Sequence, residues 1–155
     1  MPPVLSATEK RAWRAYIEAS IWLETQLDEA LREATGLTLI DYHLLMLLAE
    51  APRHRLRMSE LADRMVFSRS RITYQVTSMS KRGLVVREPC PEDGRGHRAV
   101  LTATGLNTLH RAMPRHAASV RRLFLDELDT AELACVEKVF TRLRGRTDRR
   151  SEEAS

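Results

Sequence analysis

The stretch SELADRMVFSRSRITYQVTSMSKRG, from Ser59 to Gly83, decides the fold. Ser59 reads as the N-cap of a short helix over Glu60–Met65, Val66-Phe67 as a turn, and Ser68 as a second N-cap. The helix that follows spans Arg69 to Arg82 and stops at Gly83. Two short helices joined by a tight turn make a helix-turn-helix. Helical spacing places Ile72, Val76 and Met79 on one inward stripe. The opposite face carries Ser70, Tyr74, Thr77 and Lys81, with Thr73 on its shoulder and Arg69 and Arg71 near its start. No acidic residue occurs between Arg64 and Arg87. Small hydroxyl side chains allow close approach to a groove, where Ser, Thr and Tyr can bond base edges or phosphate. A helix N-terminus itself favours phosphate. Together with the capping serines Ser59 and Ser68, these residues read as a surface for double-stranded DNA.

Downstream, Leu84–Glu88 and His97–Leu101 are strand-like, with a long loop from Pro89 to Gly96. Hairpin loops usually hold about 2–5 residues, and longer ones are often functional. The tip carries Asp93-x-Arg95. A loop beside a recognition helix can reach the neighbouring minor groove, which attracts arginine. A carboxylate two residues earlier would hold the guanidinium in a fixed fork and reduce the entropy lost on binding. Asp93 is therefore expected to orient Arg95, and Arg95 to enter the groove.

Upstream, Ser6-x-x-Glu9 is a capping-box pattern opening a long amphipathic helix that ends at Gly36. Thr38-x-x-Asp41 opens a second helix, apolar nearly all round and so expected to be buried, which Pro52 ends. Arg55–Met58 alternates like a very short strand. Beyond the hairpin, Thr102 or Thr104 caps a long helix in which Pro114 should produce a kink. Asp129-x-x-Glu132 caps the last helix, and the charged tail from Gly145 is expected to fray. The expected class is mainly α with a small β-hairpin wing (α+β). Its parts are an N-terminal helix at 6–36, a winged helix-turn-helix at 37–104, C-terminal helices at 105–146 and a frayed tail at 147–155. All belong to one compact domain.

The chain of 155 residues is 43% hydrophobic and 30% charged, which is globular composition. Eleven Lys/Arg face five Asp/Glu between Pro52 and Arg98, against fourteen and sixteen elsewhere, so the basicity is central. A preference for arginine explains why only Lys10, Lys81 and Lys138 are lysines, but not this clustering. A basic centre suits a polyanion partner. No apolar run is long enough for a membrane span, and the start lacks the features of a secretion signal. Cys90 and Cys135 make no disulfide framework, so a reduced cytoplasmic setting is expected. No nucleophile elbow, phosphate loop or zinc-ligand spacing is present. The expectation is a non-enzyme with no cofactor and no metal. Cys135 replaces an apolar position and reads as core; Cys90, at the wing, reads as the more exposed thiol.

Five pieces in order resemble the MarR family of winged-helix regulators. They are Ser59-Glu-Leu-Ala62, the turn and helix from Ser68, Lys81-Arg-Gly-Leu-Val85, Asp93-x-Arg95 and Leu101-Thr-x-x-Gly105. The resemblance covers roughly Leu37 to Leu109. It implies a homodimer whose first and last two helices interleave between protomers, with each winged helix on one half-site of a palindrome. It implies a transcriptional regulator, here read as a repressor relieved by a small ligand, and makes Asp93-x-Arg95 the wing motif. The chain departs from the pattern at Gly96-His97, where Arg98 would supply the wing's second phosphate contact, and at Tyr74, where a basic residue is common. The resemblance further implies a cleft for a small aromatic or anionic effector, for which Trp13, Tyr16, Trp22, Tyr42, His43, Met113 and His116 are the candidates. Two other readings stay open: a dimeric interaction protein on the same fold, and a redox sensor acting through Cys90.

Overall fold

A computed structural model describes residues 4–92 and 94–153. Six α-helices and three short strands follow one another as α1 (Ala7–Thr35), α2 (Leu39–Glu50), β1 (Arg55–Arg57), α3 (Met58–Met65), α4 (Arg69–Lys81), β2 (Val85–Pro89), β3 (His97–Leu101), α5 (Ala103–Leu123) and α6 (Thr130–Glu153). The strands form one antiparallel sheet in the order β1-β3-β2. The chain separates into two compact units, residues 1–117 and 118–155.

In the first unit, local chemistry sets the helix ends. Ser6 and Glu9 close a reciprocal capping box on α1, and Gly36, in the left-handed region at φ 73°, ends it. Thr38 and Asp41 close a second box on α2. Leu44, Leu45, Leu47 and Leu48 of α2 are buried on several sides, together with Tyr42, and form the centre of the core. Each such side chain contributes roughly 1.5–3 kcal/mol on leaving water. Leu61 and Met65 of α3, Ile72, Val76 and Met79 of α4, and Val85, Ala99 and Leu101 of the sheet pack into the same cluster. The inward stripe expected for α4 is the buried one.

The helix-turn-helix differs from expectation at its first corner. Ser59 does not cap α3. The helix begins one residue earlier, at Met58, with Arg57 at the cap position and no side-chain cap, because β1 leads straight into its first turn. The turn closes instead from behind. The Phe67 N–H reaches the Ala62 carbonyl (2.9 Å) and the Val66 N–H that of Asp63 (3.1 Å). This puts Val66 at φ 55°, a left-handed position that a β-branched side chain occupies under strain. Ser68 does cap α4, accepting from the Arg71 N–H at 3.2 Å. Gly83, at φ 72°, closes the other end.

Thr102, rather than Thr104, starts α5. Its Oγ1 accepts from the Gly105 N–H (2.9 Å) and donates toward the Gly83 and Leu84 carbonyls (2.7 and 3.0 Å). Gly105 has no room for a side chain: a Cβ there would lie 2.1 Å from the Leu84 carbonyl oxygen. The helix runs on through Pro114. In the second unit, Asp129 and Glu132 exchange capping hydrogen bonds at 2.8 and 2.9 Å, and α6 runs to Glu153. Among the described residues, no helix is long and apolar enough to cross a membrane.

Candidate nucleic-acid interface

The sequence-selected residues lie mainly on α4 and on the hairpin formed by β2 and β3. Ser70, Tyr74, Thr77 and Lys81 are all exposed along one face of α4, and Tyr74 is 75% exposed although it is a large aromatic. Thr73 is half-buried and donates its hydroxyl to the Arg69 carbonyl (2.9 Å). Ser68 Oγ and Ser70 Oγ lie 3.2 Å apart at the start of the helix. The Arg71 guanidinium stacks on the Phe67 ring, 3.7 Å from its centroid, so the turn itself holds this cation. Helices α1, α2, α3 and α6 each carry a carboxylate in the first turn, whereas α4, like α5, has none. The partial positive charge of its N-terminus is therefore not offset by its own first turn.

The hairpin and α4 share a hollow of about 330 Å³. Arg69, Ile72 and Thr73 of α4 line one side, Arg57, Met58 and Ser59 another, and Arg87, Cys90, Arg95, Gly96 and His97 of the hairpin the third. Four arginines thus line one small space; none of its described lining residues is acidic, and Arg57 also meets Glu92 at 3.5 Å. Ser59, which does not cap α3, is one of its walls. Such a concentration of arginines raises the local positive potential and favours an anion there. Arg57 and Arg87 were not singled out in the sequence. Their signal was present in the central basic excess, but only the β1-β3-β2 pairing brings them beside Arg69 and Arg95.

Two expected members behave differently. Asp93 lies outside the described residues. Arg98 does not join the hollow: it sits opposite Glu88 in the β2–β3 register and bonds it through both Nε and Nη2 at 3.0 Å. Its charge is matched within the sheet. The two cysteines are reversed relative to expectation. Cys90 is buried where the loop closes, its N–H donating to the Gly96 carbonyl (2.8 Å), and Cys135 is exposed on α6. A closed hairpin base shields a thiol that the loop composition alone would leave exposed.

Two ring pairs stand out among the seven aromatic, histidine and methionine candidates. Trp13 and Tyr16 are neighbours on α1, with centroids 5.7 Å apart. The buried Tyr42 ring packs against the His116 ring, with centroids 4.3 Å apart and planes inclined by 44°. Burial raises the Tyr42 pKa and lowers that of His116, whose Nδ1 is buried without a hydrogen-bond partner. Trp22, His43 and Met113 are exposed. A separate hollow of about 610 Å³ lies at the end of α1 against α5, lined by Glu33, Thr35, Gly36, Thr108, Arg111 and Arg115 among others. None of the seven lines it, and no periodic pattern in the sequence marks it.

Comparison with known proteins agrees with this architecture. The family model described as MarR family matches residues 35–96. No curated protein matches the chain. Among solved structures, Sco3205 of Streptomyces coelicolor, a MarR family transcriptional regulator crystallised in complex with DNA, is 40% identical. The match covers 93% of this chain and 90% of that one, with a TM-score of 0.89. AbsC of the same organism is 41% identical over 92% of this chain and 99% of its own, at a TM-score of 0.84. Sco5413, also from S. coelicolor, is 23% identical over 92% and 97%, at 0.80, and shares the fold. The chain, with its helix-turn-helix, its hairpin and this degree of identity, belongs to the MarR family of transcriptional regulators.

Proposed function

We propose that the protein is a sequence-specific DNA-binding regulator that acts as a homodimer on a palindromic operator, and that it represses until a small ligand relieves it. The observation that carries the reading is the hollow ringed by Arg57, Arg69, Arg87 and Arg95, set where the start of α4 meets the hairpin. Positive charge concentrated on three elements at once suits a duplex backbone passing across them. In this reading the exposed face of Ser70, Tyr74, Thr77 and Lys81 lies in the major groove and reads bases. Ser59, Ser68, Arg69, Arg71 and Thr73 meet phosphate around the helix start. Arg95, oriented by Asp93, enters the adjacent minor groove. Support also comes from Sco3205, the 40%-identical relative crystallised with DNA. Arg98, tied to Glu88, serves the sheet rather than the DNA.

Residues 37–104 would then bind DNA, with residues 6–36 and 105–146 forming the dimer. Trp13, Ile21 and Trp22 of α1 are each more than half exposed, more large apolar surface than a lone helix ordinarily leaves wet. A small aromatic or anionic effector remains part of the reading, with the Tyr42–His116 pair the best-enclosed of the seven candidates. Footprinting on DNA upstream of the protein's own gene tests the whole. It should show a pseudo-palindrome with half-site centres about 10 base pairs apart. Protection of a single asymmetric half-site would refute the dimeric form.

A further inference from the structure

Arg82 belongs to the central basic cluster by sequence, yet its charge is turned inward. Its Nη1 donates to Asp41 Oδ2 at 2.7 Å and its Nη2 to the Gly36 carbonyl at 2.9 Å. Nearly two turns into α4, Gln75 Nε2 donates to the other Asp41 oxygen, Oδ1, at 2.6 Å. We propose that Arg82, Gln75 and Asp41 form a latch that sets the attitude of α4, so that Arg82 governs operator affinity without touching DNA. The proposal rests on the DNA-binding reading above.

The case begins with what apolar packing leaves undetermined. Ile72, Val76 and Met79 hold α4 against the core along one stripe. Burial of this kind is non-directional, so it resists separation better than rolling or sliding. Polar contacts with defined geometry supply the missing restraint. Gln75 and Arg82 are seven residues apart, two turns of helix, and so lie on one flank. Two directional anchors spaced along one axis oppose both roll and slide. The flank they occupy is not the exposed face of Ser70, Tyr74, Thr77 and Lys81, which leaves that face clear.

What the anchors hold is itself buried and hydrogen-bonded. Asp41 is 1% exposed, and its carboxylate also accepts from the Thr38 N–H at 3.0 Å within the α2 capping box. The Leu39 N–H donates to Asp28 Oδ1 of α1 at 2.7 Å, which ties the start of α2 to α1. Gly36 is the residue that ends α1. Both arms therefore grip the corner between α1 and α2. A carboxylate buried to this degree depends on its donors, and removing one leaves charge uncompensated. A reading surface must be held to within about 0.5 Å and 10–20° to keep its contacts, and the latch supplies that control at the end of α4 furthest from its N-terminal cap.

The test compares Arg82→Met, Arg82→Lys, Asp41→Asn and Gln75→Leu with Arg95→Ala by fluorescence anisotropy on one operator duplex over a salt series. Arg82→Met should weaken binding about tenfold. Its log–log salt slope should equal that of the unaltered protein, because no phosphate contact is lost, whereas Arg95→Ala should flatten the slope. Arg82→Lys should recover only part of the loss, since an ammonium cannot span both acceptors as a fixed fork. Asp41→Asn should reproduce the loss, and combining it with Arg82→Met should add little. Gln75→Leu spares the ion pair and should weaken binding less, in a protein of ordinary stability. Hydrogen exchange gives a readout independent of DNA: in Arg82→Met it should accelerate in the last turns of α4 and leave α1 and α5 as they were. Unchanged affinity in Arg82→Met overturns the proposal, and so does a flattened slope, which would make Arg82 a phosphate contact. Exchange that rises everywhere, or nowhere, overturns it as well. Failure of the unaltered protein to bind any operator would sink the DNA-binding reading instead, and the exchange measurement would still decide the latch.

Discussion

Arg95 and Asp93 carry the clearest prediction about single residues. Arg95→Ala should weaken operator binding by ~1–3 kcal/mol, in the range of side chains that read bases, and lower the salt slope by up to about 0.9. Asp93→Ala should also weaken binding, although it removes a negative charge facing a polyanion. An orienting role requires that sign; simple charge counting requires the opposite. Tighter binding by Asp93→Ala, measured by anisotropy, would make Asp93 a bystander. His116 supports a second test. Its pKa is lowered by burial, so the folded protein favours the neutral ring. As pH falls through the ordinary imidazole value near 6.5, the unfolded chain takes up a proton first, and stability should fall. Denaturant midpoints should therefore drop between about pH 7.5 and pH 5.5, and His116→Phe should flatten that drop. An identical acid loss in His116→Phe would place its origin elsewhere. Neither the packing of His116 against Tyr42 nor its burial could be read from a lone histidine in the sequence.

Among the elements, the join between the hairpin and α5 shows why one motif has its composition. Leu101-Thr-x-x-Gly105 was readable as a family pattern, and its physical reason is a close crossing. Thr102 caps α5 and bonds the Gly83–Leu84 corner, while Gly105 lets α5 pass against the Leu84 carbonyl. Gly105→Ala would set a Cβ 2.1 Å from that oxygen and 2.8 Å from Leu101 Cδ1. Urea denaturation should show a loss of about 1–3 kcal/mol, typical of overpacking. An unchanged midpoint would mean that the join yields. Most helices were legible because their caps are local: Ser6, Thr38, Ser68 and Asp129 each act within three residues. Ser59 misled because a serine before a helical pattern looks like a cap whether or not a strand already delivers the chain into the turn.

For the whole molecule, the proposed dimer has a direct test. Trp13, Ile21 and Trp22 on α1, and Phe140 and Leu143 on α6, are exposed apolar residues within a single chain. Keeping such surface wet costs roughly 25 cal/mol per Å². Deletion from Thr130 onward should give monomers or aggregates by sedimentation, and Trp22→Glu should loosen self-association in the full chain. A soluble dimer of unchanged stability after the deletion would refute an interface that uses α6. The central basicity also has to be reinterpreted for the molecule as a whole. Arg64, Arg82 and Arg98 contribute to the count, but they pair with Glu60, Asp41 and Glu88. Arg57 in turn meets Glu92 at 3.5 Å, and it lines a single hollow together with Arg69, Arg87 and Arg95.

The sequence by itself determined the order and type of the elements, the buried stripe of α4, its exposed polar face and the class of partner. Those properties depend on periodicity, caps and charge, all of which act over a few residues or in sum. Tertiary structure alone decided which arginines gather at one hollow, which carboxylates match the others, which cysteine is shielded, and where α4 is fastened. Arg57, Arg69, Arg87 and Arg95 are scattered over some forty residues, and Asp41 and Arg82 are 41 apart. Whether a charge faces solvent or is matched inside depends on which distant segment is packed beside it, and that proximity exists only once the core has closed.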